Sequence, residues 1–192
     1  MTKRIILASG SEARKKLLEK IKLDFEIQPS NYEEVMTPET PPEELAVELA
    51  LGKAHNVAAK NTNAVIIAAD SFVILDGEYL SKPHSAEEAR AMLRKISGKK
   101  QSFVTGMAII DTDSDKTFTD FEISEIWIKE ISDNEIENYI KTGEPFSKAG
   151  GYAIQEIGSV FIEKVHGSYT SIVGLPIDKV YKILTELGVK VI

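Results

Sequence analysis

The run Ala64-Val65-Ile66-Ile67-Ala68-Ala69, closed by Asp70-Ser71, constrains this chain more than any other segment. It is the longest apolar stretch, yet far too short to span a bilayer. Unbroken and without alternation, it reads as a buried strand over Ala64–Val73. A carboxylate that ends a wholly apolar strand is costly unless it is paired, or lies near a metal or solvent. Asp70 is therefore either a strand-end residue that caps a turn, or a metal ligand or general base fixed on a rigid element.

Around this strand the patterns alternate between helix and sheet. Arg4–Ala8 reads as a strand and Glu12–Lys20 as a helix with Leu17 and Leu18 inward. Asp24–Gln28 alternates as a second strand. Thr40-Pro41-Pro42-Glu43 has the form of a capping box with Thr40 as N-cap, opening a helix towards Lys60 with Leu45, Leu49 and Val57 inward. Gly52 inside that helix costs about 1 kcal/mol relative to Ala, which suggests a close neighbour there. Asp76-Gly77 marks a tight hairpin turn. Ser85-Ala86-Glu87-Glu88 is a second capping box, and its helix puts Ala89, Met92, Leu93 and Ile96 on one face before Gly98.

Gln101–Ile110 and Thr117–Ile131 form a long hairpin across Asp111–Lys116. Ser132-Asp133-Asn134-Glu135 caps a third helix that ends near Gly143. Gly150–Gln155 and Val160–Lys164 are expected as strands, and Pro176–Leu187 as a last amphipathic helix. These elements predict an α/β fold with a mixed, long-stranded sheet flanked by helices. The 192 residues suit one domain, residues 1–192, or at most two closely packed lobes around a central cleft.

Composition removes several function classes. The chain has no cysteine, which excludes disulfides, thiolate zinc sites and a Cys nucleophile. It carries 23 Lys and Arg against 30 Asp and Glu, a net charge of −7. That balance opposes general nucleic-acid binding while leaving room for a small polyanion in a local basic cleft. With no signal peptide and no apolar span, a cytoplasmic protein without membrane partners is expected.

Candidate chemistry gathers in a few places. Leu7-Ala8-Ser9-Gly10-Ser11-Glu12-Ala13-Arg14 takes a strand through a Ser/Gly turn into a helix, whose N-terminal amides can hold a phosphate. Ser11 reads equally well as a plain helix cap. Glu33-Glu34 lies in a polar loop; beside Asp70 such acids suit an oxygen-ligand Mg²⁺ site. Lys53 and Lys82, singly surface lysines, would with Arg14 supply the positive charge that a triphosphate requires. His55, His84 and His166 lack metal-ligand spacing, and no serine-hydrolase elbow or P-loop order is present. Trp127 reads as a core or interface residue.

Taken in order, Leu-Ala-Ser-x-Ser-x-x-Arg at 7–14, Glu33, Lys53-Ala54, Ala69-Asp70, Lys82-Pro83, Lys148-Ala149-Gly150-Gly151-Tyr152-x-Ile154-Gln155 and Val173-Gly174-Leu175-Pro176 resemble the Maf family. The likeness covers almost the whole chain. It implies the Maf/Ham1 (ITPase-like) fold, often as a homodimer. The implied activity is a nucleoside triphosphate pyrophosphatase that cleaves between the α and β phosphates with a divalent cation, Mg²⁺ or Mn²⁺. The matched positions place Ser9, Ser11, Arg14, Lys53 and Lys82 on the substrate, Glu33 and Asp70 at the metal, and Asp70 as proton acceptor.

Within the family the Tyr152-x-Ile154-Gln155 run looks like the branch acting on dTTP and UTP, with Gln155 facing the base and Ser71 in place of that branch's Thr. That branch carries Pro-Arg-Arg where this chain has Glu12-Ala13-Arg14, and Gly where Glu156 stands. Ala13 therefore lacks a bidentate donor associated with specificity, and Glu156 adds an acid, changes that relax or redirect base choice. The alternatives are a 7-methyl-GTP or broad-specificity pyrophosphatase, or a slow nucleotide-binding regulator of cell division.

Overall fold

A computed structural model of the chain describes residues 3–35 and 39–191. The apolar run lies in β3 (Ala64–Leu75), with β1 (Arg4–Leu7) parallel on one side: Arg4 faces Ala64 and Leu7 faces Ile67. β2 (Glu26–Ile27) adds to the far side of β1, Ile6 opposite Glu26, also in parallel. The seven-stranded sheet has the order β2-β1-β3-β5-β6-β7, with β5 (Lys100–Asp111), β6 (Lys116–Ile128) and β7 (Ile162–His166). A short β4 (Glu78–Tyr79) pairs with the end of β3. Residues Ala64–Ala69 are wholly buried, as an interior strand covered on both faces requires. The mixed α/β fold with long strands is thus present.

The chain divides into two compact units. One holds Met1–Ser71, Thr105–Glu122 and Gly174–Ile192, and the other Phe72–Val104 and Ile123–Val173. In the first unit, α1 (Glu12–Lys20) and α2 (Pro42–Ala58) carry their apolar residues inward. Ala50 and Ala54 of α2 pack with Ile66 and Ala68 of β3 and Ala108 of β5, so small side chains bring the helix close to the strands. Gly106 carries that approach furthest, because a Cβ there would overlap the Ala46 backbone. α6 (Ile177–Glu186) completes this unit.

The second unit buries Leu93 and Ile96 of α3 (Ala86–Ile96) and Ile136 and Tyr139 of α4 (Asp133–Ile140) with Phe103, Ile126 and Phe161. Arg90 and Glu137 join the two helices by a forked ion pair. Asp76 and Gly77 both adopt positive φ, 52° and 84°, as the expected tight hairpin requires. Ser132 and Glu135 make the full reciprocal capping box. A short helix, α5 (Tyr169–Val173), follows β7.

Four expectations need correction. The Thr40 capping box does not form: Pro41 takes the N-cap position of α2 with no side-chain cap bond. A residue that precedes proline is pushed to extended ψ, here 138° at Pro41, so the helix begins one residue later. At α3, Ser85 accepts from the Glu88 amide, but the Glu88 carboxylate takes the His84 amide and the box is only half closed. Gly150–Gln155 is no strand, because Gly150 and Gly151 sit at φ 75° and 77° in a tight turn. β7 starts at Ile162 rather than Val160, since the Ile157 and Gly158 amides bond the Glu144 carboxylate at 3.0 and 2.8 Å and hold Ile157–Phe161 in a 3₁₀ turn.

Candidate active site

In the first unit the turn from β1 to α1 builds one half of a polar cluster. Ser11 caps α1, its Oγ accepting a long 3.5 Å bond from the Arg14 amide. Ser9 Oγ accepts from the Ser11 amide and from Arg14 Nη1, both at 3.2 Å. Arg14 Nε donates to the Gly174 carbonyl at 2.9 Å, and Nη2 to Ser71 Oγ at 3.3 Å. Ser71 Oγ accepts a second bond from Thr105 Oγ1 at 2.9 Å. A hydroxyl has one proton and two acceptor sites. Those of Ser9 and Ser71 receive two donors each, so among the described residues each O–H is left to give to an incoming acceptor.

Burial lowers the Arg14 pKa from its ordinary value, while the charges of Asp70 and Glu34 pull it back up. Gly174 makes the contact to Arg14 feasible: its φ is +122°, and a Cβ there would lie 3.4 Å from Nε. One guanidinium is thus fixed in place by a carbonyl and two hydroxyls.

The other half comes from β3 and α2. Ala64, Ile66 and Ala68 share a face of β3 with Asp70, because side chains alternate along a strand, and that face packs on α2. Lys53 of α2 consequently reaches Asp70, its Nζ lying 2.7 Å from Oδ1. The same ammonium is 2.7 Å from Glu34 Oε1. Asp70 is only 8% exposed, and Oδ2 accepts no hydrogen bond among the described residues. Glu33, adjacent to Glu34, is exposed and has no such partner among the described residues. Ala13, in the first turn of α1, is half-buried.

In the second unit, Lys82 is exposed in the segment after β4, and the Ser81 carbonyl accepts from the Gly150 amide at 3.1 Å. The Lys82 segment and the Gly150-Gly151 turn are therefore neighbours. Lys148 pairs with Glu156 at 2.9 Å across this loop. Tyr152 is buried, and desolvation raises its pKa. Gln155 is exposed, with its amide free of protein partners among the described residues.

The sequence matches the family described as Maf-like protein over residues 4–187. The chain belongs to the Maf family. Among curated relatives, a protein named dTTP/UTP pyrophosphatase from Caldicellulosiruptor saccharolyticus is 45% identical over 190 residues, 97% of this chain and 96% of the relative. Its namesake from Methanosarcina mazei is 43% identical over 98% of this chain and 96% of its own length. The one from Clostridium tetani is 46% identical over 96% and 97%. Among solved structures, a HAM1 protein from Coxiella burnetii superposes with a TM-score of 0.51 at 16% identity, over 97% of this chain and all of that one, and shows the shared fold.

Of the residues that the Maf likeness singles out, the structure gathers Ser9, Ser11, Arg14, Ser71, Lys53 and Asp70 within one unit. Lys82 and Gln155 lie in the other. Three participants have roles that the sequence did not single out. Glu34, not Glu33, holds Lys53; the acidic pair was visible, but which member turns inward was not. Thr105 is a polar residue within an apolar strand stretch, a signal as clear as Asp70. Gly174 lies in the Val173-Gly174-Leu175-Pro176 run, and only the structure reveals its partner, Arg14.

Proposed function

We propose that this Maf protein is a nucleoside triphosphate pyrophosphatase acting on dTTP and UTP, which clears such nucleotides from the pool by α–β cleavage. The observation that carries the reading is the Asp70 carboxylate, one oxygen held by Lys53 and the other without a hydrogen bond among the described residues, in the same unit as a fixed guanidinium and two hydroxyls with protons to give. Full-length relatives named dTTP/UTP pyrophosphatase support the choice of nucleotide.

In this scheme Arg14, Lys53, Lys82 and the hydroxyls of Ser9 and Ser11 bind phosphate oxygens, aided by the first-turn amides of α1. Lys53 orients Asp70 so that its free oxygen takes a proton from water. The water oxygen bonds to the α phosphorus while the bond to the bridging oxygen breaks, and the electron pair leaves on pyrophosphate. Ser71, Gln155 and the bare Ala13 position bear on base choice.

No three His, Asp or Glu side chains among the described residues form a metal cluster on their own. That suits Mg²⁺ or Mn²⁺ of the phosphate-bound kind, which takes one or two carboxylates and completes its shell with substrate oxygens and water. Asp70 and Glu33 are the carboxylates assigned to it. When bound, the ion would neutralise charge on the phosphates. The homodimer that the Maf likeness implies is checked by light scattering.

The deciding experiment incubates the protein with Mg²⁺ and a panel of ordinary and modified nucleoside triphosphates, and measures monophosphate and pyrophosphate separately. Equal amounts of both from dTTP and UTP are expected. Orthophosphate with diphosphate would refute α–β cleavage, and nucleotide affinity without turnover would favour a regulator.

A further inference from the structure

Gly52 is a poor choice for the interior of a long helix, and the structure shows what lies against it. The Tyr32 ring rests on Gly52 so closely that a Cβ there would overlap the ring carbons. Tyr32 is part of a segment that follows one face of α2. The Asn56 side-chain oxygen accepts from Ser30 Oγ at 3.2 Å and from the Asn31 amide at 3.1 Å. Asn56 lies one helical turn after Gly52, on the same face. Ser30 Oγ in turn accepts from the Tyr32 amide at 3.0 Å. Two residues beyond Tyr32, Glu34 reaches Lys53, the helical neighbour of Gly52. The loop thus runs along α2 in three steps: Ser30 and Asn31 on Asn56, Tyr32 on Gly52, and Glu34 on Lys53.

Only the middle step depends on shape alone. The outer two are polar contacts that an exposed loop exchanges readily for water. A ring in a glycine-sized notch admits one register, because a shift by one residue would carry Tyr32 onto a side chain. We propose that Tyr32 and Gly52 form a positioning latch that sets the register of Glu33 and Glu34 against Lys53, and through Lys53 the placement of Asp70. The latch rests on the pyrophosphatase reading for its catalytic consequence, but not for its structural one.

The test is a mutant cycle on the full chain. Ala is the better helix former, so Gly52→Ala leaves Tm unchanged or raises it. With the notch filled, kcat/KM for dTTP falls about tenfold, and hydrogen exchange at the Asn31 and Tyr32 amides speeds up by a similar factor. Tyr32→Ala has the same two effects, and adding Gly52→Ala to it costs nothing more. Tyr32→Phe, which keeps the ring, restores wild-type values of both.

Unchanged exchange and unchanged kcat/KM in Gly52→Ala would overturn the latch, as would effects of the two substitutions that simply multiply. A fall in Tm that matches the loss of activity would also overturn it, reducing Tyr32 to a packing residue. If wild-type protein turns over no nucleotide, the pyrophosphatase reading fails, and the exchange measurements alone still decide the latch.

Discussion

Two buried aspartates lie on long strands of the same unit, Asp111 at the end of β5 and Asp70 in the middle of β3, each with a lysine on it, and they differ in the acceptor sites they have left. Asp111, at the end of β5, is 1% exposed and takes three donors: Lys3 Nζ at 2.5 Å, the Ser114 hydroxyl and the Asp113 amide at 3.3 Å. Burial pushes its pKa up, but these three donors together outweigh burial and leave it lowered. Asp70 is 8% exposed, and the bond it accepts comes from an ammonium that Glu34 shares. A carboxylate has about four acceptor directions, and the three donors on Asp111 bring both of its oxygens into hydrogen bonds. Asp70 keeps one oxygen without a hydrogen bond among the described residues, which leaves it open to a further donor or a cation. Burial and a lysine partner do not separate the two, whereas the count of remaining acceptor sites does.

Substitution should separate them most sharply. Asp70→Asn is expected to lower kcat by about a thousandfold while Tm stays near wild type, since Asn keeps the shape but cannot take the proton. Retention of most turnover would remove Asp70 from the mechanism. Next in size, Arg14→Lys loses the fork that joins Gly174, Ser9 and Ser71, and kcat/KM drops by about a hundredfold. A loss below threefold would show that charge alone suffices there.

The counterpart, Asp111→Asn, should leave kcat untouched and lower stability by about 2 kcal/mol in urea unfolding, because Lys3 loses its charged acceptor. An activity loss without a stability loss would break the contrast outright.

The smallest effect concerns a carboxylate that is satisfied without being buried. Glu135 receives Lys129, then the Ser132 hydroxyl and amide, and is pushed down to about 2 from an ordinary 4.5. A depressed folded-state pKa contributes stability that is complete above the unfolded value and lost as pH falls towards about 2. Tm curves of wild type and Glu135→Gln should therefore lie apart above the ordinary carboxylate range and converge in strong acid. Parallel curves at every pH would show that the capping box has no electrostatic part. Ser132→Ala, which removes the other half of the box, should cost about 1 kcal/mol.

Much of this was legible in the residues. The α1 limits, the Asp-Gly hairpin and the close neighbour of Gly52 follow from rules about φ, caps and side-chain absence that act over a few residues. Asp70 stood out because an apolar strand makes a carboxylate conspicuous. What stayed hidden depends on contacts far along the chain. Gly150–Gln155 reads as a strand from Tyr152 and Ile154, but Gly150 and Gly151 turn it at positive φ, with the Gly150 amide on the Ser81 carbonyl. Glu33 and Glu34 are chemically alike, and their inequality is set by where Tyr32 lies on a helix that begins later in the sequence. The Thr40 box failed locally, since two successive prolines override a capping signal.

The bond from Arg14 Nε to the Gly174 carbonyl has a consequence for the order in which the protein comes to life. The two residues are 160 positions apart, so on the ribosome this contact waits for all of the intervening chain to emerge. A nascent chain that has not yet released Gly174 can form β1, α1 and β3, yet its guanidinium has nothing to hold it by Nε. The fixing of Arg14 Nε by Gly174 therefore comes later than the strand and helix that carry Arg14.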